Sequence, residues 1–429
     1  MPLQVHREHG RVGGLAVQIS RRRPQVLFVT ALLCLLSSWY FAVVIAPAGL
    51  GLSAPSVQQG LFPEWFGCRE ILHHRDPYRP EATRQIELVV FGPTPTASAA
   101  PLNQHRFAYP AFFAVLFFPI ALLPFAAAQS TALLVSALLT AISVPLWLQG
   151  EQCGKLDKLT FTVFALATYP VALALQLRQP TLIIAALLAA SYCCVRSGRL
   201  AAAGILAALC ASKPQLAIAV LLPLSIWSVA AWRTRKVFVL SLGAALSALL
   251  IAADLAVPGW FGEWMTTVAA YTHYAGGKPL LADLLPFHFV LPAAVILMGA
   301  VVWVSFKFRD SDLLFALSFS VAVFQLLFPF QIYNTVLLFP AALWMTANAG
   351  NIKARGQWHT LLYFCTWIVL GAGWASAAGL SFSNALAPGS GLRLWQAPLA
   401  AAYSYPFAVV TCLGVCAVSK QAPIARLAG

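Results

Sequence analysis

Between residues 47 and 107 the chain carries five of its thirteen acidic residues, Glu64, Glu70, Asp76, Glu81 and Glu87. Only 9% of all residues are charged, so this stretch is where acid–base chemistry finds its groups. A carboxylate there can take the proton of a hydroxyl as that hydroxyl becomes a nucleophile. Cations able to hold an anionic leaving group are supplied by Arg106, Arg178 and Lys213. Glu64 is the expected catalytic base, with Asp76 and Glu70 as substitutes; the alternatives are a solvated acid for Glu64 and a turn cap for Asp76, which precedes Pro77. Lys213 precedes Pro214 at the head of an apolar run, where an unpaired ammonium is expensive, so it needs a phosphate partner or must snorkel to headgroups. Arg106 and Arg178 invite the same two readings. The adjacent His73 and His74 would not converge on one ion from a helix, and no third ligand stands near, so neither a metal nor a cofactor is expected.

What positions these residues is membrane-embedded helix. Hydrophobic residues make up 60% of the 429 positions and mean hydropathy is +0.79, which excludes a soluble fold. Apolar runs recur throughout, and a spanning segment must satisfy its own backbone, so an all-α polytopic membrane protein follows. Candidate spans are 26–46, 108–124, 127–148, 159–176, 181–195, 199–212, 214–232, 236–256, 288–306, 312–328, 333–348, 358–380 and 397–418. They form a single domain over 1–429, with a basic tail at 1–25 and an outer loop at 47–107. The net charge of +14 is scattered between spans without a basic face, which argues for topology determinants and against nucleic acid. The nine cysteines fall mostly in apolar runs and read as buried thiols.

Strict alternation of thirteen spans would put Arg196, Arg199, Arg233, Arg235 and Lys236 outside, against the positive-inside rule. The weakest span is 108–124, interrupted by Pro110, Pro119 and Pro124. If it does not cross, eighteen of the twenty-seven basic residues fall on the cytoplasmic side with both termini, and the acidic first loop and Lys213 fall outside.

The first loop, LFPEWFGCREILHHRDPYRPEATRQIELVVFG, reads as a helix along the membrane. Leu61, Phe62, Trp65, Phe66, Ile71 and Leu72 form its apolar side, and Glu64, Arg69 and Glu70 face water or a cavity. Asp76-Pro77-Tyr78 marks a turn, and a second helix is expected from Pro80 to Val90. This helix, DPY, and FAYP followed by FFPIALLPF resemble the GT87 integral-membrane glycosyltransferases of the GT-C superfamily. The likeness continues through LRQPTLIIAALLAA, SKPQLAIAVLLPL and FPFQIYNTVLLFPAALW, over about residues 20 to 350.

The resemblance implies a GT-C-like bundle of about 12–13 transmembrane helices. It also implies an inverting transfer of a hexose, such as mannose, from a polyprenyl-phosphate donor to a lipid-linked or cell-surface glycan acceptor, outside the cytoplasm at the cell membrane. Gln179, Lys213, Tyr333 and Asn334 match family positions, and Gln179, Tyr333 and Asn334 can hydrogen-bond sugar hydroxyls or simply pack helices. Family members usually carry an aspartate at the start of the first-loop helix, a position that is Gly60 here. Glu64, one helical turn on, then takes over as base, or the chain is an inactive relative that binds lipid-linked sugars. A transporter or flippase is the rival class. It would place ionisable groups near the bilayer midplane in two matching halves, which this sequence does not show.

Overall fold

The long apolar runs fold as helices, because in hydrocarbon only a helix pairs every peptide group within one segment. The structure, a computed structural model, describes residues 24–49, 57–91, 106–149, 154–274, 278–329, 331–390 and 394–419. It is 84% helical, with no strand among the described residues. Most of the basic tail expected at 1–25, including Arg21 to Arg23, lies outside them, as do 50–56 and 92–105 of the first loop.

Six described helices are long and apolar enough to cross a membrane: Gln25–Ala48, Phe125–Trp147, Trp232–Ala256, Phe287–Phe308, Gln357–Leu386 and Ala397–Val418. Five further apolar helices, Thr181–Arg196, Leu200–Cys210, Pro214–Ala230, Leu313–Leu327 and Ile332–Ala347, have 10–17 residues. The chain is thus an all-α polytopic membrane protein, though several expected spans are shorter than hydrocarbon requires.

Proline accounts for most departures from the expected spans. The run 159–176, expected as one helix, breaks at Thr168 into Lys155–Ala167 and Tyr169–Gln176, bent by 64°, with Pro170 in the first turn of the second piece. The run 333–348 opens as a 3-10 helix, Ile332–Leu338, and becomes α-helical only at Phe339, next to Pro340. Within 108–124, only Phe113–Ala121 is helical. Nine residues reach about 14 Å, half of what a crossing needs. The expected loop 257–287 instead contains a helix, Trp260–Tyr274, started after Gly259, whose N–H donates to Asp254 Oδ1 at 3.1 Å.

Leu313–Leu327 is the central element, buried at every position from Leu313 to Leu326. Trp232–Ala256 buries only Phe238 and Ala253, and apolar side chains such as Leu255, Leu291 and Ile368 are more than 70% exposed. That is a surface for lipid, since water would not tolerate it. A separate buried cluster, which includes Leu61, Cys68, Phe107, Phe113, Phe117 and Trp260, joins the first-loop helix to the segment returning from the loop.

Candidate functional site

The first-loop helix, Val57–Leu72, buries the stripe Leu61, Glu64, Cys68 and Ile71, spaced three and four residues apart. Glu64 therefore occupies a core position; only 6% of it is exposed, and it does not share a wet face with Arg69 and Glu70. Glu70 is half-buried and forms an ion pair with Arg75 at 2.6 Å. The second helix, Pro80–Phe91, closely follows the expectation.

Gly60 is where the helix main chain docks. A Cβ there would overlap the Leu177 carbonyl oxygen and come within 2.8 Å of Leu177 Cβ. Gln179 Nε2 donates to the Gly60 carbonyl at 3.2 Å. An acidic side chain has no room at Gly60, and the carboxylate that points inward is one turn further on. Gly67 serves a similar purpose, because a Cβ there would overlap the Phe107 ring.

Tyr109 reaches the site from the returning segment, stacked on Phe113 at 4.4 Å between ring centroids. Its carbonyl accepts from the Tyr78 hydroxyl at 2.7 Å, and the neighbouring Ala108 carbonyl accepts from Trp264 Nε1 at 3.1 Å. Asp76 stands behind this brace. Its Oδ1 accepts from the Tyr78 N–H at 2.9 Å and its Oδ2 lies 3.6 Å from Arg79, which makes it a turn residue that positions Tyr78.

Lys213 is the N-cap residue of Pro214–Ala230, held out of helical geometry by the following proline. It is 5% exposed, and its Nζ donates to the Thr181 hydroxyl at 2.6 Å. The same nitrogen lies 5.0 Å from the Tyr333 ring and 5.9 Å from the Tyr109 ring, within cation–π range. Thr181 Oγ1 donates to Asn334 Oδ1 at 3.1 Å, and the Asn334 carbonyl accepts from Gln325 Nε2 at 3.2 Å. A polar chain thus runs from Lys213 through Thr181 and Asn334 to Gln325, inside an apolar bundle.

Burial pushes the Glu64 carboxyl up to about 8, opposed by a hydrogen bond to its own backbone, the charge of Lys213 and a hydrogen bond to the Tyr109 side chain. Burial lowers the Lys213 ammonium to about 7, and Glu64 pulls it back upward. Glu64 Oε2 is buried without a hydrogen-bond partner. A buried acceptor atom without a partner can take a proton from an incoming hydroxyl.

The structure therefore brings together Glu64, Gln179, Lys213, Tyr333 and Asn334. Arg178 borders the group, half-buried, with φ +53, its Nη1 donating to the Gln176 carbonyl and its Nε buried without a partner. A non-glycine residue in the left-handed region is a conformation that functional loops tolerate. Arg106 is half-buried, beside Phe107 and three positions before Tyr109. Sequence reasoning gave no role to Tyr109, Thr181 or Gln325. The signal for Gln325 was a lone amide in the apolar run VAVFQLLF, and Tyr109 stood in the quoted FAYP. Among the described residues, no group of three or more His, Cys, Asp or Glu could hold a metal ion.

A family model described as Glycosyltransferase family 87 matches residues 107–329, just over half of the chain. The match includes Tyr109, Arg178, Gln179, Thr181, Lys213 and Gln325; Glu64, Asp76 and Arg106 precede it, and Tyr333 and Asn334 follow it. No curated protein and no solved structure matches the chain.

Proposed function

The chain belongs to glycosyltransferase family 87 and is a membrane glycosyltransferase; from that premise we propose that it moves a hexose, such as mannose, from a polyprenyl-phosphate carrier to a lipid-linked or cell-surface acceptor. Glu64 accepts the proton of the acceptor hydroxyl while that oxygen attacks the anomeric carbon. The bond from that carbon to the phosphate oxygen breaks, its electron pair leaves with the polyprenyl phosphate, and one displacement inverts the centre. Lys213, with Arg178 and Arg106 at the rim, holds the departing phosphate. Gln179, Tyr333 and Asn334 meet sugar hydroxyls, and Thr181 fixes the direction of the Lys213 ammonium.

The observation that carries this reading is the pairing of two buried groups, Glu64, with one oxygen unpartnered, and Lys213, whose charge acts on it. A carboxylate with a value near 8 exchanges its proton close to neutral pH, as a general base must. In keeping with the basic residues between spans, the enzyme lies in the cell membrane, with both termini cytoplasmic and the first loop outside, where it meets carrier and acceptor.

Purified protein in liposomes, offered labelled polyprenyl-phosphate hexoses or nucleotide hexoses, tests the donor. Transfer from the lipid phosphates alone is expected. Transfer from nucleotide sugars, or lipid movement without covalent product, overturns the reading.

A further inference from the structure

Residues 106–110 lead back from the first loop outside any helix, so their carbonyls need partners from elsewhere. Two consecutive carbonyls find them in side chains from distant segments. Trp264 Nε1 donates to the Ala108 carbonyl at 3.1 Å across 156 positions of sequence, and the Tyr78 hydroxyl donates to the Tyr109 carbonyl at 2.7 Å across 31. Pro110 adds a covalent restriction, because the residue before a proline is confined to extended backbone.

Each of these donors is delivered by a turn that an aspartate organises. Asp76 Oδ1 accepts from the Tyr78 N–H at 2.9 Å. Asp254 Oδ1 accepts at 3.1 Å from the N–H of Gly259, whose φ of +76 precedes the helix Trp260–Tyr274 that carries Trp264. That helix touches the returning segment a second time. Trp260, 3% exposed, meets Phe112 edge to face, with ring centroids 5.8 Å apart. Two loops remote in sequence therefore grip the same short stretch of backbone.

What they hold is the Tyr109 side chain. Its ring stacks on Phe113 at 4.4 Å and lies 6.1 Å from Phe107, between centroids. The side chain hydrogen-bonds Glu64, and its ring is 5.9 Å from Lys213 Nζ. It thus touches both the base and the cation of the proposed reaction. A hydrogen bond to the ionised carboxylate favours ionisation only while it stays aligned, since such bonds weaken steeply as the angle closes.

We propose that Trp264 and Tyr78 are positioning residues for Glu64: by pinning the Ala108 and Tyr109 carbonyls, they keep the Tyr109 side chain on the carboxylate. The inference rests on the reading of Glu64 as the base and adds two residues, on separate loops, that decide how readily it ionises. The other groups facing Glu64 are Lys213, at the head of Pro214–Ala230, and the Cys68 thiol, one turn along its own helix. Phe113–Ala121 and Phe125–Trp147 pack on the first-loop helix and carry no titratable side chain. Pro80–Phe91 packs there with Glu81 and Arg84 exposed and Glu87 half-buried, and the 177–179 turn brings Arg178. Trp264 does not ionise, so its effect on the Glu64 titration passes through Tyr109.

Infrared titration of the protonated carboxyl in the full-length protein, taken as the difference from the matching Glu64→Gln protein, reads Glu64 without donor or turnover. Trp264→Phe and Tyr78→Phe each keep a ring and remove one donor. Both should move the Glu64 midpoint to higher pH, by on the order of one pH unit or less. The rising limb of the pH–rate profile should follow, with the plateau rate within a few-fold of wild type. On a Tyr109→Phe background neither change should shift the midpoint further, and Trp264→His, which restores a ring N–H, should return it toward wild type. Tyr78→Phe, which removes a single oxygen, decides the matter if Trp264→Phe does not fold. A midpoint unmoved in either folded variant, or shifts that persist in full without the Tyr109 hydroxyl, would overturn the proposal. A midpoint that moves while the pH–rate limb stays fixed leaves the brace standing and removes Glu64 as the base.

Discussion

Lys213 Nζ donates to the Thr181 hydroxyl at 2.6 Å, across thirty-two positions of sequence, and Thr181 in turn donates to Asn334. The ammonium is therefore aimed by two helix starts and a 3-10 turn, and its direction is set before any ligand arrives. Preorganised charge of this kind stabilises an anionic leaving group without the cost of reorienting dipoles.

Thr181→Val keeps the shape of the side chain and removes both hydrogen bonds. Leaving buried polar partners unsatisfied costs about 1–3 kcal/mol. Transfer should fall about 10- to 100-fold, with more of the loss in kcat than in KM, because Lys213 is mis-aimed when the phosphate departs. Steady-state kinetics with a lipid-phosphate hexose check this, and a variant at wild-type kcat would show that the relay does not matter.

The hydrogen bond with the Tyr109 side chain lowers the Glu64 value, so its loss must raise that value further. Since the proposed base acts as the ionised carboxylate, Tyr109→Phe should move the rising limb of the pH–rate profile to more alkaline pH, on the order of one pH unit. An acid shift, or none, would contradict the assigned contact.

Asp76 accepts a backbone hydrogen bond that an amide oxygen can also accept. Asp76→Asn should retain activity within a few-fold of wild type, while Asp76→Ala should lower the melting temperature through loss of about 1 kcal/mol. An Asn variant as inactive as a Glu64 variant would give Asp76 a chemical role.

Gly60→Asp tests where the acid of this site resides. With the Leu177 carbonyl filling the space of any Cβ, the added side chain should push the first-loop helix off the 177–179 turn and reduce both yield and activity. A gain in transfer would place the working carboxylate at position 60.

Much of this arrangement was legible from local chemistry. The first-loop helix, the DPY turn, the second short helix and the proline-shortened helix within 108–124 all follow from helical period and the restrictions that proline imposes. Lys213 could be singled out because an ammonium beside an apolar run needs a partner. The burial of Glu64 was harder to read, since the expected apolar side, Leu61, Phe62, Trp65, Phe66, Ile71 and Leu72, left it out; packing against Phe107 and the 177–179 turn adds Glu64 and Cys68 to the buried positions. Thr181 and Gln325 were invisible for a related reason: their partners lie 153 and nine positions away, and each alone looks like an ordinary polar residue in a helix. The break at Thr168 escaped because Pro170 suits the first turn of a new helix as well as it suits the interruption of an old one.

The central claim, that Glu64 takes the proton of the acceptor, is tested most directly by the single-turnover rate of Glu64→Gln with a bound polyprenyl-phosphate hexose. The amide preserves size and cannot accept that proton, so the rate should fall by about 10²- to 10⁴-fold while donor binding stays within a few-fold of wild type. A Gln variant that transfers sugar within a few-fold of the wild-type rate would contradict the account.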